Sequence, residues 1–181
     1  MDRELVERAR SGDHDAFEVL ASAIVDRLYG VARLILRDAD RAEDAAQEAL
    51  VRCWRDLPAL RDAARFDAWL HRLLMHAIND EFRRGARFQA NITVLVREPA
   101  MADPTRATAD RELLDRAFAR LSLEQRSVVV LRLHLGLSIE ETATTLGIPV
   151  GTAKSRLHYA TGAQRSALEA DAMLRSREVS A

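Results

Sequence analysis

The sequence has one cysteine, four prolines and seven glycines among 181 residues. Cys53, standing alone, can form neither an internal disulfide nor a multi-cysteine metal site, and the ordinary role of such a residue is that of a small buried hydrophobe. Lys154 is the only lysine, so nearly all positive charge is arginine. The formal net charge of −1 does not announce a nucleic-acid binder. Such a function needs positive charge gathered in one part of the chain. Long apolar runs are missing too. None approaches the ~20 residues that span a bilayer. The charged start Met1-Asp2-Arg3-Glu4 also lacks the apolar core of a signal peptide. A cytoplasmic location without membrane contact is expected. The five histidines are scattered, and no His-Glu-x-x-His or phosphate loop occurs. Glu43, Asp44 and Glu48 lack the Glu-x-x-His partner that a carboxylate metal bundle uses. Neither an enzyme nor a bound metal or cofactor is expected.

What is present favours helix. Alanine, leucine and arginine dominate, and these lose little freedom on a helix surface. Apolar residues recur at helical spacing. A short helix over Leu5 to Arg10 comes first. Phe17, Leu20, Ile24, Leu28, Val31 and Ile35 form a stripe behind a start at Gly12-Asp13. A second stripe runs through Ala46, Leu50, Cys53 or Trp54, and Leu57. Asp40 and Glu43 stand at its front in capping-box spacing, and Pro58 ends it. A third comprises Phe66, Trp69, Leu70, Leu73, Ala77, Ile78 and Phe82. From about Gly85 to Ala109 the pattern dissolves around Pro99 and Pro104. Ile92 to Val96 has the composition of a short strand, but no second strand exists to pair with it. A structureless stretch of this length is unusual inside one compact domain. The expected fold is therefore all-α with two small helical domains, residues 1–86 and 110–175. A flexible linker over 87–109 joins them, and a tail over 176–181 follows.

The second domain opens on a stripe of Leu113, Leu114, Ala117, Phe118 and Leu121. Ser122 with Gln125, and Ser138 with Glu141, have capping-box spacing, while Gly136 and Gly147 suit helix ends. Pro149 suits the first turn of a further helix. Leu137 to Ala163 thus reads as helix, glycine turn and longer helix, the plan of a helix-turn-helix. The longer helix carries Thr152, Ser155, Arg156 and Tyr159 on or near one face, with Lys154 beside them. These are donors suited to phosphates and to base edges in a major groove. The charged residues between Pro149 and Leu168 are Lys154, Arg156 and Arg165, all positive. A helical hairpin with a solvated face would share the architecture, but the charge favours DNA.

Several strings, taken in order, resemble the extracytoplasmic-function sigma factors of the sigma-70 family, RNA polymerase subunits that confer promoter specificity. Leu137-Ser138-Ile139-Glu140-Glu141 and the run from Leu146 through Gly147, Thr152, Ala153, Lys154, Ser155 and Arg156 to Leu157 are similar to that family's promoter-reading helix-turn-helix. Leu121-Ser122-Leu123-Glu124-Gln125-Arg126 is similar to its lead-in. Gly12-Asp13, Ala16-Phe17, the string Ala42-Glu43-Asp44-Ala45-Ala46-Gln47-Glu48, Trp69-Leu70 and Arg83-Arg84 resemble its first domain. The matches cover both halves and leave the linker out.

The resemblance implies three working surfaces. Asp40, Glu43, Asp44, Gln47 and Glu48 would bind core RNA polymerase at the β′ clamp helices. The C-terminal domain would meet the β flap and read the −35 element of promoter DNA with Thr152, Lys154, Ser155, Arg156 and Tyr159. Phe66, Trp69, Arg72, His76, Asn79, Arg83 and Arg84 would serve the melted −10 element, with the loop from Pro58 to Phe66 as the base-capture site. An anti-sigma partner is implied as well. The residues agree in charge: Asp38, Asp40, Glu43, Asp44 and Glu48 face a lone Arg41, whereas Arg65, Arg72, Arg83, Arg84 and Arg87 outnumber Asp67, Asp80 and Glu81. An acidic run also suits the positive end of any helix. The helical spacing of Trp54, Phe66 and Trp69 favours core packing over base stacking. His76 departs from the family, which usually has an asparagine there. The competing reading is a conventional helix-turn-helix regulator whose N-terminal half is a sensor or dimerisation domain. That reading has no use for the string from Asp40 to Glu48.

Overall fold

The structure is a computed structural model that describes residues 1–91 and 118–162, with side chains to residue 87 in the first of these stretches. Among them every regular element is helical. The chain falls into two compact units, Met1–Glu98 and Pro99–Ala181. Most of the expected linker, the Ile92 to Val96 stretch, Leu113, Leu114, Ala117, Arg165 and the tail lie outside the described residues.

Among the described residues the first unit has four α-helices: α1 (Arg3–Arg10), α2 (His14–Leu36), α3 (Ala39–Asp56) and α4 (Phe66–Asn91). Aspartates start the first three. Asp2 accepts from the Glu4 amide, Asp13 from that of Ala16 and Asp38 from that of Arg41. A cap of this kind contributes about 1 kcal/mol. The capping box expected on Asp40 and Glu43 is replaced by Asp38, which has the extended backbone (φ −141, ψ 124) that a cap requires, while Asp40 is already helical. Between α2 and α3 the chain reverses within Arg37 and Asp38. Arg37 takes a left-handed conformation (φ 57), the only non-glycine to do so among the described residues.

Leu20, Ile24, Leu28, Val31 and Ile35 of α2 are buried as their spacing predicts. Phe17 is half-buried and rests its ring 4.6 Å from that of Trp54. The inner face of α3 is Ala42, Ala45, Ala46, Ala49 and Cys53, none more than 3% exposed. Cys53, not Trp54, takes the inward position, and burial pushes its thiol up to about 12. A thiol held there stays protonated and inert. α4 buries Phe66, Leu70, Leu74, Ala77 and Ile78, but Phe82 is 40% exposed. It shares a side of the helix with buried His71 and Met75, further along, past the point where that side is covered. α4 also continues through Gly85 to Asn91, beyond residue 86. Gly85 is buried inside the helix because the Arg41 guanidinium lies over it, in the space that a Cβ would take. What reads as a fading pattern in the sequence is a seat for the Arg41 side chain.

The second unit contains α5 (Leu123–Val129), which runs into a π-helical turn over Val130–His134, then α6 (Ile139–Leu146) and α7, described over 150–162. Both capping boxes form, on Ser122 with Gln125 and on Ser138 with Glu141. Gly136 (φ 70) and Gly147 (φ 65) take the left-handed conformation at the helix ends. Leu121, Val129 and Ala160 form one core cluster, covered by Phe118 and Leu157.

Burial makes His71 a source of pH-dependent stability. His71 is 7% exposed, with neither ring nitrogen hydrogen-bonded. Burial lowers its pKa from 6.5, the Arg27 charge lowers it further, and Asp67 acts the other way. The unfolded chain takes up this proton first, so folding is favoured above about pH 6.5 and weakens as pH falls through that value. Urea midpoints are expected to drop between about pH 7 and about pH 5, and His71→Phe to flatten that drop.

Candidate functional site

The outer face of α3 is built by its own inner face. Burying an alanine row turns residues 40, 43, 44 and 47 outward, spaced by three and four along one line. Asp40, Glu43, Asp44 and Gln47 are all exposed. The Gln47 amide donates to Glu43 Oε1 at 3.2 Å, which stiffens the row. The line continues into exposed Val51 and Trp54. Glu48 differs from the other four. It is half-buried and accepts from Arg52 Nε at 2.7 Å. The same guanidinium donates from its Nη2 to Asp80 Oδ2 on α4 at 2.8 Å. Four of the five expected docking residues are therefore displayed, and the fifth is tied to the α3–α4 seam.

On α4, Arg72, His76, Asn79 and Arg83 follow at steps of four, three and four, so they share the face opposite the buried row. Arg72, His76 and Arg83 are exposed and Asn79 is half-buried. Trp69 stands half-buried at the start of this face. Phe66 does not join it. Only 1% exposed, its ring packs in the core, 5.9 Å from that of Trp69, where no base can reach it. Arg84 forms an ion pair with buried Glu81. Phe82, which the periodicity had assigned to the core, is an exposed ring beside Asn79 and Arg83.

The loop before α4 is held at both ends. Two short 3-10 turns, Leu57–Ala59 and Ala63–Arg65, bury Leu57 and Ala63, while Arg61, Asp62, Ala64 and Arg65 stay exposed. Arg10 of α1 donates to the carbonyls of Leu60 (3.1 Å) and Arg61 (3.4 Å). Asp62 caps the second turn through the Ala64 amide at 2.9 Å. The role of Arg10 carries no sequence signal, since its partners are backbone atoms about fifty residues away.

In the second unit, Gly147 turns the chain between α6 and α7. Its amide donates to the Thr144 carbonyl (3.2 Å), and Ile148 donates to the Ala143 carbonyl (3.0 Å). Ala153 and Ala160 face inward, which leaves Lys154, Ser155, His158 and Tyr159 outward. Tyr159 is 68% exposed. Thr152 and Arg156 are half-buried at the flank. The Arg156 charge helps hold the Glu124 carboxyl below its ordinary range, behind the larger effect of the Ser122 hydrogen bond. No group of histidine, cysteine or carboxylate side chains among the described residues is arranged to hold a metal. No described helix is long and apolar enough to cross a membrane.

An acidic outer face, a basic helix face and a helix-turn-helix lie on one chain. Comparison with known proteins gives this combination a family. The profile described as Sigma-70 region 2 matches residues 20–88, and that described as Sigma-70, region 4 matches residues 111–160. The ECF RNA polymerase sigma factor SigL of Mycobacterium tuberculosis is 38% identical over 168 residues, 88% of this chain and 94% of the relative. The chain belongs to the extracytoplasmic-function sigma factors. SigM of Mycobacterium tuberculosis is 35% identical over 86% of this sigma factor and 78% of its own length. Among solved structures, the sigma factor RpoE in complex with the anti-sigma factor NepR from Bartonella quintana covers 86% of this chain and 98% of its own, with a TM-score of 0.71 at 26% identity. CnrH in complex with the cytosolic domain of CnrY covers 94% and 98%, with a TM-score of 0.65 at 28% identity. The family directs core polymerase to promoters for transcription initiation. With region 2 matched to the front half, a sensor or dimerisation domain there is not favoured.

Two substitutions test the local geometry. Gly147→Ala places a side chain at a left-handed residue and is expected to cost about 1–2 kcal/mol, read from faster hydrogen exchange of the α5 amides in the full chain. Arg10→Ala removes the α1 tether and is expected to raise exchange at the Leu60 and Arg65 amides about threefold to tenfold.

Proposed function

We propose that the sigma factor divides its work among three surfaces. The face of Asp40, Glu43, Asp44 and Gln47 docks on a basic helical surface of core polymerase, the β′ clamp helices. Glu48 contributes from the seam. The face of Arg72, His76, Asn79 and Arg83 holds the opened −10 strand, with Trp69 and the loop from Pro58 to Arg65 supplying base contacts. Opening a duplex sacrifices stacking, which phosphate contacts and pockets for unstacked bases offset. In the second unit, Lys154, Ser155 and Tyr159 lead α7 into the major groove of the −35 element. Thr152 and Arg156 act from its flank, and the unit meets the β flap. Catalysis of RNA synthesis stays with polymerase, in the cytoplasm.

The observation that carries this reading is the segregation of charge. A chain of net charge −1 displays its acids on α3 and its arginines on α4. Few phosphates neutralised means weak binding to free DNA, which a polymerase-dependent factor tolerates. The related structures of RpoE with NepR and of CnrH with CnrY support an anti-sigma partner for this chain too, one that covers the docking surfaces until it is released.

Run-off transcription with purified core polymerase on a promoter library tests the whole. Specific initiation is expected only when the protein is added. Glu43→Lys with Asp44→Lys is expected to abolish co-elution with core polymerase, and retained association would refute the docking face. Arg156→Ala is expected to weaken −35-dependent binding by about 1–3 kcal/mol, measured on the holoenzyme.

A further inference from the structure

Asp80 is out of place on the face just described. Along α4 it lies one turn after His76 and one turn before Arg83 and Arg84, so it sets a carboxylate among the side chains assigned to phosphates. Its neighbour Glu81 is buried and paired with Arg84. Asp80 is 40% exposed in its side chain and has one partner from another helix, Arg52 of α3, at 2.8 Å. The Arg52 side chain is only 19% exposed and is fixed from behind by Glu48 at 2.7 Å. The Arg52 hydrogen bond holds the Asp80 carboxyl below its ordinary range; burial opposes it, and the charges of Arg52, Arg83 and Arg84 lower it further. It is therefore ionised, and it is felt by the arginines beside it.

We infer that Arg52 is a positioning residue for the DNA face: it neutralises Asp80 from the α3 side, so that His76, Arg83 and the strand they hold do not meet an uncompensated negative charge. The inference rests on the assignment of that face to the −10 strand and adds a residue to it from the helix that carries the polymerase face. One guanidinium thus serves as counter-ion to both surfaces, Glu48 on one side and Asp80 on the other. A part-exposed pair of this kind adds little to stability, because solvent screens it and two long side chains are fixed to make it. Its larger effect is on an anionic ligand: like charge placed within a few ångströms of a phosphate repels it in the part-buried seam more than in bulk water.

The test uses holoenzyme assembled from core polymerase and the full chain, on a promoter found in the run-off screen. Assembly with core and opening of the −10 element, followed by permanganate reactivity of unpaired thymines, are read separately. Arg52→Gln is expected to assemble within about twofold of the unaltered protein but to open the promoter about fivefold less well, with a deficit that shrinks as salt is raised. Adding Asp80→Asn to Arg52→Gln is expected to restore opening, and Arg52→Lys to preserve it. A merely structural Arg52 would not be rescued by neutralising Asp80, so a deficit that persists in the double variant overturns the inference. Full opening by Arg52→Gln alone overturns it as well. Should Arg52→Gln fail to fold, Asp80→Asn alone still decides: opening at least as efficient as in the unaltered protein supports the inference, and a loss, which would make Asp80 a strand contact itself, refutes it. Arg72→Ala and Arg83→Ala report on the underlying assignment. If both open normally, the −10 face is wrong whatever Arg52 does.

Discussion

The first unit depends on how closely α3 can approach its neighbours. Its inward row is four alanines and a cysteine, residues with almost no side chain to hold the helices apart. The apolar content of the core comes from the other side: Leu20, Ile24, Leu28 and Ile35 on α2, and Leu70, Leu74 and Ile78 on α4. Each such side chain, fully buried, contributes roughly 1.5–3 kcal/mol, and this outweighs the exposed ion pairs on the rim. The pairs decide something else. With α3 drawn in, Arg41 lies over Gly85 and Arg52 reaches Asp80, so the charged rims of α3 and α4 are in register.

That register gives the unit its two-sided character. The same alanine row that buries one side of α3 leaves a continuous acidic line on the other. The α4 row through Leu70, Leu74 and Ile78 likewise leaves Arg72, His76, Asn79 and Arg83 pointing away. Opposite charges thus stand on adjacent helices largely without cancelling: Arg52 with Asp80 is an ion pair that joins α3 to α4, whereas Arg52 with Glu48, Arg55 with Asp56 and Arg84 with Glu81 pair residues close in sequence. A net charge near zero is compatible with a DNA-directed function for this reason.

The second unit reaches its geometry by different means. Short helices of seven and eight residues cannot persist alone. Two reciprocal capping boxes start them, and left-handed glycines at 136 and 147 end the segments that contain them. Small residues again set the approach: Ala143, Ala153 and Ala160 are buried, and Lys154, Ser155, His158 and Tyr159 on the other side of α7 are exposed.

Much of this was written in local sequence. Caps on Asp13, Ser122 and Ser138, stops at Gly147 and Pro58, and the α2 stripe all follow from interactions within a few residues, and such interactions need no partner helix to be legible. The opposed charges of α3 and α4 were legible in the same way. Other features were decided only by tertiary packing. Cys53 rather than Trp54 turned inward because the approach of α2 and α4 left room for a small side chain alone. Phe66 went into the core and Phe82 to the surface: the two lie about 160° apart round α4, and only packing shows how wide and how long the covered side of the helix is. The continuation of α4 through Gly85, the hold of Arg10 on the loop and the bridge from Arg52 to Asp80 join residues 28 to 51 positions apart, or depend on a neighbour that far away. Contacts at that separation exist only once the helices are packed.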